Sequence, residues 1–292
     1  NEIVRQLQAN GRLNLLSKKA GEIAAVDEKF LSALKKARQA SAQANDALVD
    51  FTVQSLLEVI FSINQYLEID SSAIPGLKEI YRNTFRDLND MKAKEVLKRH
   101  YNALGKWLSA FYPAHFIRSL EHHTCIGAVE NKEYSWEFQV KVLGINTKTI
   151  LEPVLDIGCG KKALMVHGLR QLGIDAYGID RISGCEHPFL FRSSWFDFDY
   201  ECRQWGTIIA NMSFSNHAQY AERNAQTRMP HYNAAYSSIL TSLKQGGQFI
   251  YAPDIPVLEE TIDREKYSVS KKQVYDGIYC TTINKKTLCS HL

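Results

Sequence analysis

A disulfide framework, long apolar runs and a strong charge of one sign are all missing from this chain, and each absence excludes a class of protein. Six cysteines (Cys125, Cys159, Cys185, Cys202, Cys280 and Cys289) lie far apart, with no CxxC pair and no dense spacing of the kind small secreted domains use, so reduced thiols are expected. The longest apolar stretches, such as Leu56 to Ile63, fall far short of the roughly 20 residues that cross a bilayer. No signal-peptide pattern opens at Asn1, so a cytoplasmic location and no membrane partner are expected. Proline (7) and glycine (16) are sparse in 292 residues, which excludes collagen-like and low-complexity chains. The net charge is only +3, all of it arising before residue 150, too small an excess to require a nucleic-acid partner. What the chain does have is apolar material. At 45% hydrophobic residues it can bury a sizeable core in one large domain or two modest ones.

The texture changes near residue 150. Up to about Tyr112, apolar residues recur at three and four with almost no proline or glycine, which predicts an all-α region of about five helices. Asp27 opens one carrying Phe30, Leu31 and Leu34. Asp46 precedes the central one, with Leu48, Val49, Phe51, Val53, Leu56, Leu57, Ile60, Phe61 and Ile63. Pro75-Gly76 breaks the pattern, and Asn89-Asp90 caps a helix bearing Val96, Leu97, Tyr101, Leu104, Trp107, Leu108 and Phe111. Beyond residue 150, short β-rich runs at 154–157, 176–179, 207–210 and 248–251 alternate with helical stretches, the pattern of a parallel sheet with crossover helices. A helix at 138–143 covers the start of that sheet. The expected division is a helical domain over 1–120, serving as lid, dimerisation surface or substrate platform, and an α/β domain over 121–292.

The most informative stretch is Pro153-Val-Leu-Asp-Ile-Gly-Cys-Gly-Lys-Lys-Ala163, a strand feeding a glycine turn, followed by a second strand ending in Asp180-Arg181. Gly158 and Gly160 let the backbone bend and let a ligand approach, and a helix opening near Lys161 turns free N–H groups toward it. The Asp180 carboxylate can accept both hydroxyl protons of a ribose, so an adenosine-type ligand is expected. The glycines alone also fit a dinucleotide fingerprint. Asp156, two residues before the first glycine, weighs against that, because a carboxylate there would meet a cationic group but repel a pyrophosphate.

Asp156, Gly158 and Gly160 match an acidic-x-Gly-x-Gly-x-Gly motif, and here the sequence resembles the class I S-adenosylmethionine-dependent methyltransferases. The resemblance continues in the family's order through about residues 150–287. Asp180 matches the ribose-binding acid, and Ser194-Trp195-Phe196-Asp197 the adenine-contacting loop. Trp205 to Met212 resembles the fourth strand and Leu243 to Tyr251 the glycine turn into the fifth, while 267–274 and 277–283 suit the closing hairpin. It implies an α/β, Rossmann-like sheet, mostly parallel with an antiparallel C-terminal hairpin, which here follows the all-α N-terminal domain read from periodicity. It also implies S-adenosylmethionine as cofactor and S-adenosylhomocysteine as product, contacted by Asp156, Gly158, Cys159, Gly160, Asp180, Arg181, Ser194, Trp195, Phe196 and Asn211. The sequence departs from the family at Lys162, which replaces the third glycine, and after Asn211, where Met-Ser-Phe-Ser-Asn216-His217 is not the Asn/Asp-Pro-Pro-aromatic signature of amino-group DNA methylation.

Methyl transfer by in-line displacement asks the protein for alignment, exclusion of water and, for a protonated nucleophile, a base. Candidates at the carboxyl ends of the strands are Asn211, His217, Tyr220 and His231, with Tyr232 and Tyr236 behind them; His217 is the first choice as base because imidazole titrates near neutral pH. Arg223 and Arg228 either grip an anionic substrate or face solvent. His122, His123 and Cys125, and Cys185 with His187, lack the spacing that completes a four-ligand set, so no metal is expected. A small-molecule substrate is the leading expectation. The alternatives are an RNA methyltransferase docking through Lys92, Lys94, Lys98, Arg99 and Lys106, as a helical domain also precedes the catalytic domain in aminoglycoside-resistance rRNA enzymes, and a non-catalytic adenosine-ligand binder. A homodimer surface on the helical domain remains open.

Overall fold

Helical periodicity becomes packed faces in the first part of the chain. A computed structural model describes residues 2–10, 28–38, 42–63, 65–88, 92–111, 133–182, 187–224 and 226–287. The chain divides into two compact units, Asn1–Asn131 and Lys132–Leu292; the boundary expected at 120 and 121 lies outside the described residues, as do Asp27, the Asn89-Asp90 cap, His122, His123, Cys125 and Cys185.

In the first unit the helices are α1 (Glu2–Asn10), α2 (Glu28–Arg38), α3 (Ala42–Ile63), α4 (Ile74–Asp87) and α5 (Ala93–Phe111). α3 touches α1, α2 and α4, and α4 touches α5. Val49, Val53, Leu56 and Ile60 fall at helical spacing on α3 and are buried, while Phe51 on the other face is exposed. α3 begins before Asp46 rather than after it, and the Asp46 carboxylate accepts from Arg82 Nε on α4 at 3.2 Å. Pro75 starts a helix rather than ending one, because in the first turn of α4 its missing N–H has no intrahelical partner to lose. Trp107 Nε1 donates to the Ala73 carbonyl at 2.9 Å. Lys92, Lys94, Lys98, Arg99 and Lys106 are all exposed, and Arg99 pairs with Asp87 at 3.3 Å.

The second unit is a seven-stranded sheet: β1 (Val154–Ile157), β2 (Ala176–Asp180), β3 (Leu190–Arg192), β4 (Trp205–Asn211), β5 (Leu243–Ala252), β6 (Tyr267–Tyr275) and β7 (Ile278–Lys285). The order is β3-β2-β1-β4-β5-β7-β6, with β1 to β5 parallel and β7 antiparallel to both neighbours. This is the expected Rossmann-like sheet, mostly parallel with an antiparallel C-terminal hairpin. Helices cover both faces, as an all-parallel core requires. On one side α6 (Trp136–Leu143) and α7 (Leu164–Gln171) pack Val142, Leu143, Met165, Val166 and Leu169 over Val154, Ala176, Ile209 and Ile250. On the other α8 (Phe214–Asn224), α9 (Met229–Thr241) and the short α10 (Pro256–Glu259) pack Phe214, Ala218, Tyr232, Tyr236, Ile239 and Leu258 over Leu155, Ile157, Ile208 and Phe249. β5 starts earlier than residue 248. Its register against β4 shifts where Gly247 approaches the Trp205 and Gly206 carbonyls so closely that a Cβ would sit 3.0 Å from each. Among the described residues no helix is long and apolar enough to cross a membrane.

Candidate functional site

Strand alternation places Asp156, Asp180 and Asn211 on the same side of three adjacent strands, at or near their carboxyl ends. Between β1 and α7 the chain makes the glycine turn. Gly158 (φ 79°) and Gly160 (φ 74°) take left-handed conformations that favour glycine. A Cβ on Gly158 would collide with the Ser213 side chain, whose hydroxyl donates to the Ile157 carbonyl at 2.7 Å. The turn is longer than expected. α7 opens at Leu164 rather than near Lys161 because Ala163 itself adopts φ 45° before the helix begins.

The turn is fastened by protein acceptors. The Gly158 and Cys159 N–H groups donate to the Ile179 carbonyl at 2.8 and 3.1 Å. The Gly160 N–H donates to Asp180 Oδ2 at 2.9 Å, the Ile182 N–H to Asp180 Oδ1 at 2.9 Å, and the Lys162 N–H to Glu133 Oε1 at 3.2 Å. Each Asp180 oxygen keeps acceptor capacity for one further donor. The Cys159 thiol turns into the core, close enough to Gly178 that a Cβ there would lie 2.8 Å from its Sγ.

The loop after β3 is shaped by Ser194, whose hydroxyl accepts the Phe196 N–H at 3.1 Å and whose carbonyl accepts those of Asp197 and Phe198. It delivers Trp195 edge-on to His217 (ring centroids 4.8 Å) and Phe214 (5.8 Å), with its ring 3.6 Å from the Cβ position of Gly158. At the end of β4, Asn211 is followed by Met212 with φ 51°; Met212 and Ala163 are the two non-glycine residues with positive φ among those described, and both border this site. Ser215 and Gln219 tie α8 to the end of β5 by donating to the Ala252 and Asp254 carbonyls, each at 2.7 Å.

The polar atoms here are short of partners. Asp156 Oδ2, Trp195 Nε1 and both amide atoms of Asn211 are buried with no hydrogen-bond partner among the described residues. Native proteins seldom leave such atoms unsatisfied. Burial pushes the Asp156 carboxyl up to about 8, helped by the nearby Asp180. Burial also raises Asp180, against the opposing effect of the Ile182 and Gly160 N–H bonds and Arg181. His217 is lowered well below its ordinary value by burial and by Arg181, so the ring is neutral at pH 7.

Of the residues expected from sequence, Asp156, Gly158, Gly160, Asp180, Trp195, Asn211 and His217 gather at this end of the sheet. Phe196 leans on Tyr232 (5.0 Å) and His231 (6.1 Å), and His231 is exposed at the start of α9. Tyr220 is half-buried further along α8, Arg181 and Arg228 are half-buried, and Arg223 is exposed. Glu133 and Ser213 were not anticipated. Ser213 lies inside the noted run after Asn211, whereas Glu133 precedes β1 and carries no local signal.

No protein-family model and no curated protein matches the chain. Solved structures do. TrmN from Thermus thermophilus is 16% identical over 45% of this chain and 43% of its own, with a TM-score of 0.33, so the chain spans less than half of that protein. An rRNA methylase from Streptococcus thermophilus is 16% identical over 54% of this chain and 99% of its own, with a TM-score of 0.35. The N-methyltransferase NodS from Bradyrhizobium japonicum WM9 is 12% identical over 52% and 95%, also at 0.35.

Proposed function

We propose that the chain is an S-adenosylmethionine-dependent methyltransferase acting on a small-molecule acceptor by in-line transfer. The observation that carries this reading is Asp156, a buried carboxyl whose Oδ2 lacks a partner, beside a glycine turn and one strand from Asp180. A buried acid without a counter-charge suits a cationic guest, because an opposite charge at short range restores the ionised form. Bound S-adenosylmethionine supplies a methyl group made electrophilic by its sulfonium.

The chain's own residues fit the remaining tasks. Asp180 has the acceptor capacity to take ribose hydroxyls while holding the turn. Trp195 and Phe214 form an apolar wall against water, and Trp195 Nε1 and the Asn211 amide offer donors and an acceptor for orienting the acceptor molecule. His217 serves as a neutral flank to Trp195, since a pKa far below the working pH leaves little driving force for taking a proton. The aromatic edge made by Trp195, Phe196 and His231 supports a flat organic acceptor.

The test is thermal shift and calorimetry with S-adenosylmethionine, S-adenosylhomocysteine and NAD. The first two should stabilise the protein, by about 2.7 kcal/mol at a hundred times Kd, and NAD should not. Asp156→Asn and Asp180→Asn should each weaken binding tenfold or more. Stabilisation by NAD alone would overturn the reading. Once an acceptor is found, its turnover should change little between 50 and 200 mM salt, where a phosphate-docked polymer would lose roughly a thousandfold or more in affinity.

A further inference from the structure

We propose that Glu133 is a specificity-determining residue: its carboxylate occupies a donor of the glycine turn that a phosphate would otherwise take, and so reserves the turn for a positively charged cofactor. This rests on the methyltransferase reading and extends it. In strand–turn–helix units that hold nucleotides through phosphates, the free N–H groups of the turn are the anion site. Here two of them are already held by side-chain carboxylates, Gly160 by Asp180 at 2.9 Å and Lys162 by Glu133 at 3.2 Å. Glu133 also lies across the turn: a Cβ on Gly160 would be 3.4 Å from both its Cγ and its Oε1.

A ligand reaching Gly160 therefore meets Glu133 and Asp180 first, with the partnerless Asp156 Oδ2 buried at the end of the adjoining strand. Lys162 Nζ, 3.7 Å from Glu133 Oε2, is a cation paired with Glu133 and is largely exposed, so it is screened by solvent. A phosphate would have to displace a carboxylate from its donor and then sit among like charges. A sulfonium is attracted by both carboxylates, with Arg181 beside Asp180 as the opposing charge. The position is informative: Lys162 stands where the family motif has its third glycine, and its N–H is claimed from 29 residues upstream.

The experiment measures binding of S-adenosylmethionine, S-adenosylhomocysteine and ADP to the wild type, Glu133→Gln and Glu133→Ala at low salt. The wild type should bind the first two and ignore ADP. Both variants should lose more affinity for the charged S-adenosylmethionine than for the neutral-centred product, narrowing that ratio several-fold, and Glu133→Ala should gain ADP affinity by tenfold or more. A gain cannot come from a misfolded protein, and Glu133 is an exposed residue, so the variants should melt close to the wild type. If the variants keep the wild-type ratio and still ignore ADP, the role of Glu133 is refuted. If the wild type binds neither sulfur ligand, the methyltransferase reading falls, while the ADP arm still decides whether Glu133 guards the turn.

Discussion

Asp156 is driven toward its neutral form by folding and back toward its charged form by a cationic guest. With a folded pKa of about 8, the free protein holds a proton there at pH 7, and binding a sulfonium must expel it. Affinity for S-adenosylmethionine should therefore rise as pH rises from 6 to 8, by up to about tenfold per pH unit, and level off above. Calorimetry in two buffers of different ionisation enthalpy should report proton release at pH 7, and Asp156→Asn should abolish both effects; a flat profile in the wild type would contradict this. Gly158 has a more mechanical role. An alanine there takes an unfavourable φ and strikes Ser213, so Gly158→Ala should lower stability by about 1–3 kcal/mol in urea melts and cut ligand affinity. Asp156, Asp180 and the glycines were legible in the sequence because strand-end acids and turn glycines sit at fixed local spacing. Glu133 and Ser213 were not, because each acts on a turn residue 29 or 55 positions away, where only the fold brings them together.

At the level of elements, periodicity and β-branching located most helices and strands, and errors gathered where a residue had another task. Asp46 was placed ahead of the central helix but lies inside it and serves Arg82, Pro75 looked like a break but lies in the first turn of α4, and the Lys162-Ala163 pair delays α7. The closing hairpin was expected from the resemblance alone, and what fixes it was not visible. Glu259 on α10 accepts from Tyr251 Oη on β5 at 2.8 Å, Thr281 Oγ1 on β7 at 2.9 Å and the Ile255 N–H at 3.0 Å, and pairs with Lys271 on β6. Burial alone would raise its pKa, yet these bonds outweigh it and hold the carboxyl below the usual range. Glu259→Ala leaves Lys271 its pair with Asp254 at 2.7 Å but takes the acceptor from Tyr251 Oη, Thr281 Oγ1 and the Ile255 N–H, so it should cost about 2–4 kcal/mol, and Tyr251→Phe about 1–2 kcal/mol, in denaturant titration. Equal, near-zero losses would show that the hairpin is held by its ladder alone.

Across the whole molecule the two units carry ionisable groups that answer pH in opposite directions. In the helical unit His100 is buried beside Thr84, with its Nδ1 2.7 Å from the hydroxyl and its ring against Tyr81 and Tyr101, and burial lowers it to about 4. Its native pKa lies below the unfolded one, so the unfolded chain binds the extra proton. The associated stability is complete above about pH 6.5 and is lost on acidification toward 4, up to about 3 kcal/mol. Asp156 behaves inversely, because its raised pKa favours folding at low pH and that advantage drains away as pH climbs to 8. Below pH 6.5 His217 opposes Asp156 and Asp180 within the α/β unit, since its own lowered pKa penalises acid. Between 6.5 and 8 Asp156 acts without that opposition. Hydrogen exchange read by mass spectrometry, corrected for intrinsic rates, should then show the helical unit unchanged from pH 6.5 to 8 while the ligand-free α/β unit loses about 2 kcal/mol. Saturating S-adenosylmethionine should flatten or reverse the α/β loss, because the bound cation holds Asp156 ionised in the native state; Asp156→Asn should flatten it without ligand. An equal slope in both units would mean that the buried carboxyl at the tip of β1 is already neutralised by something other than a proton.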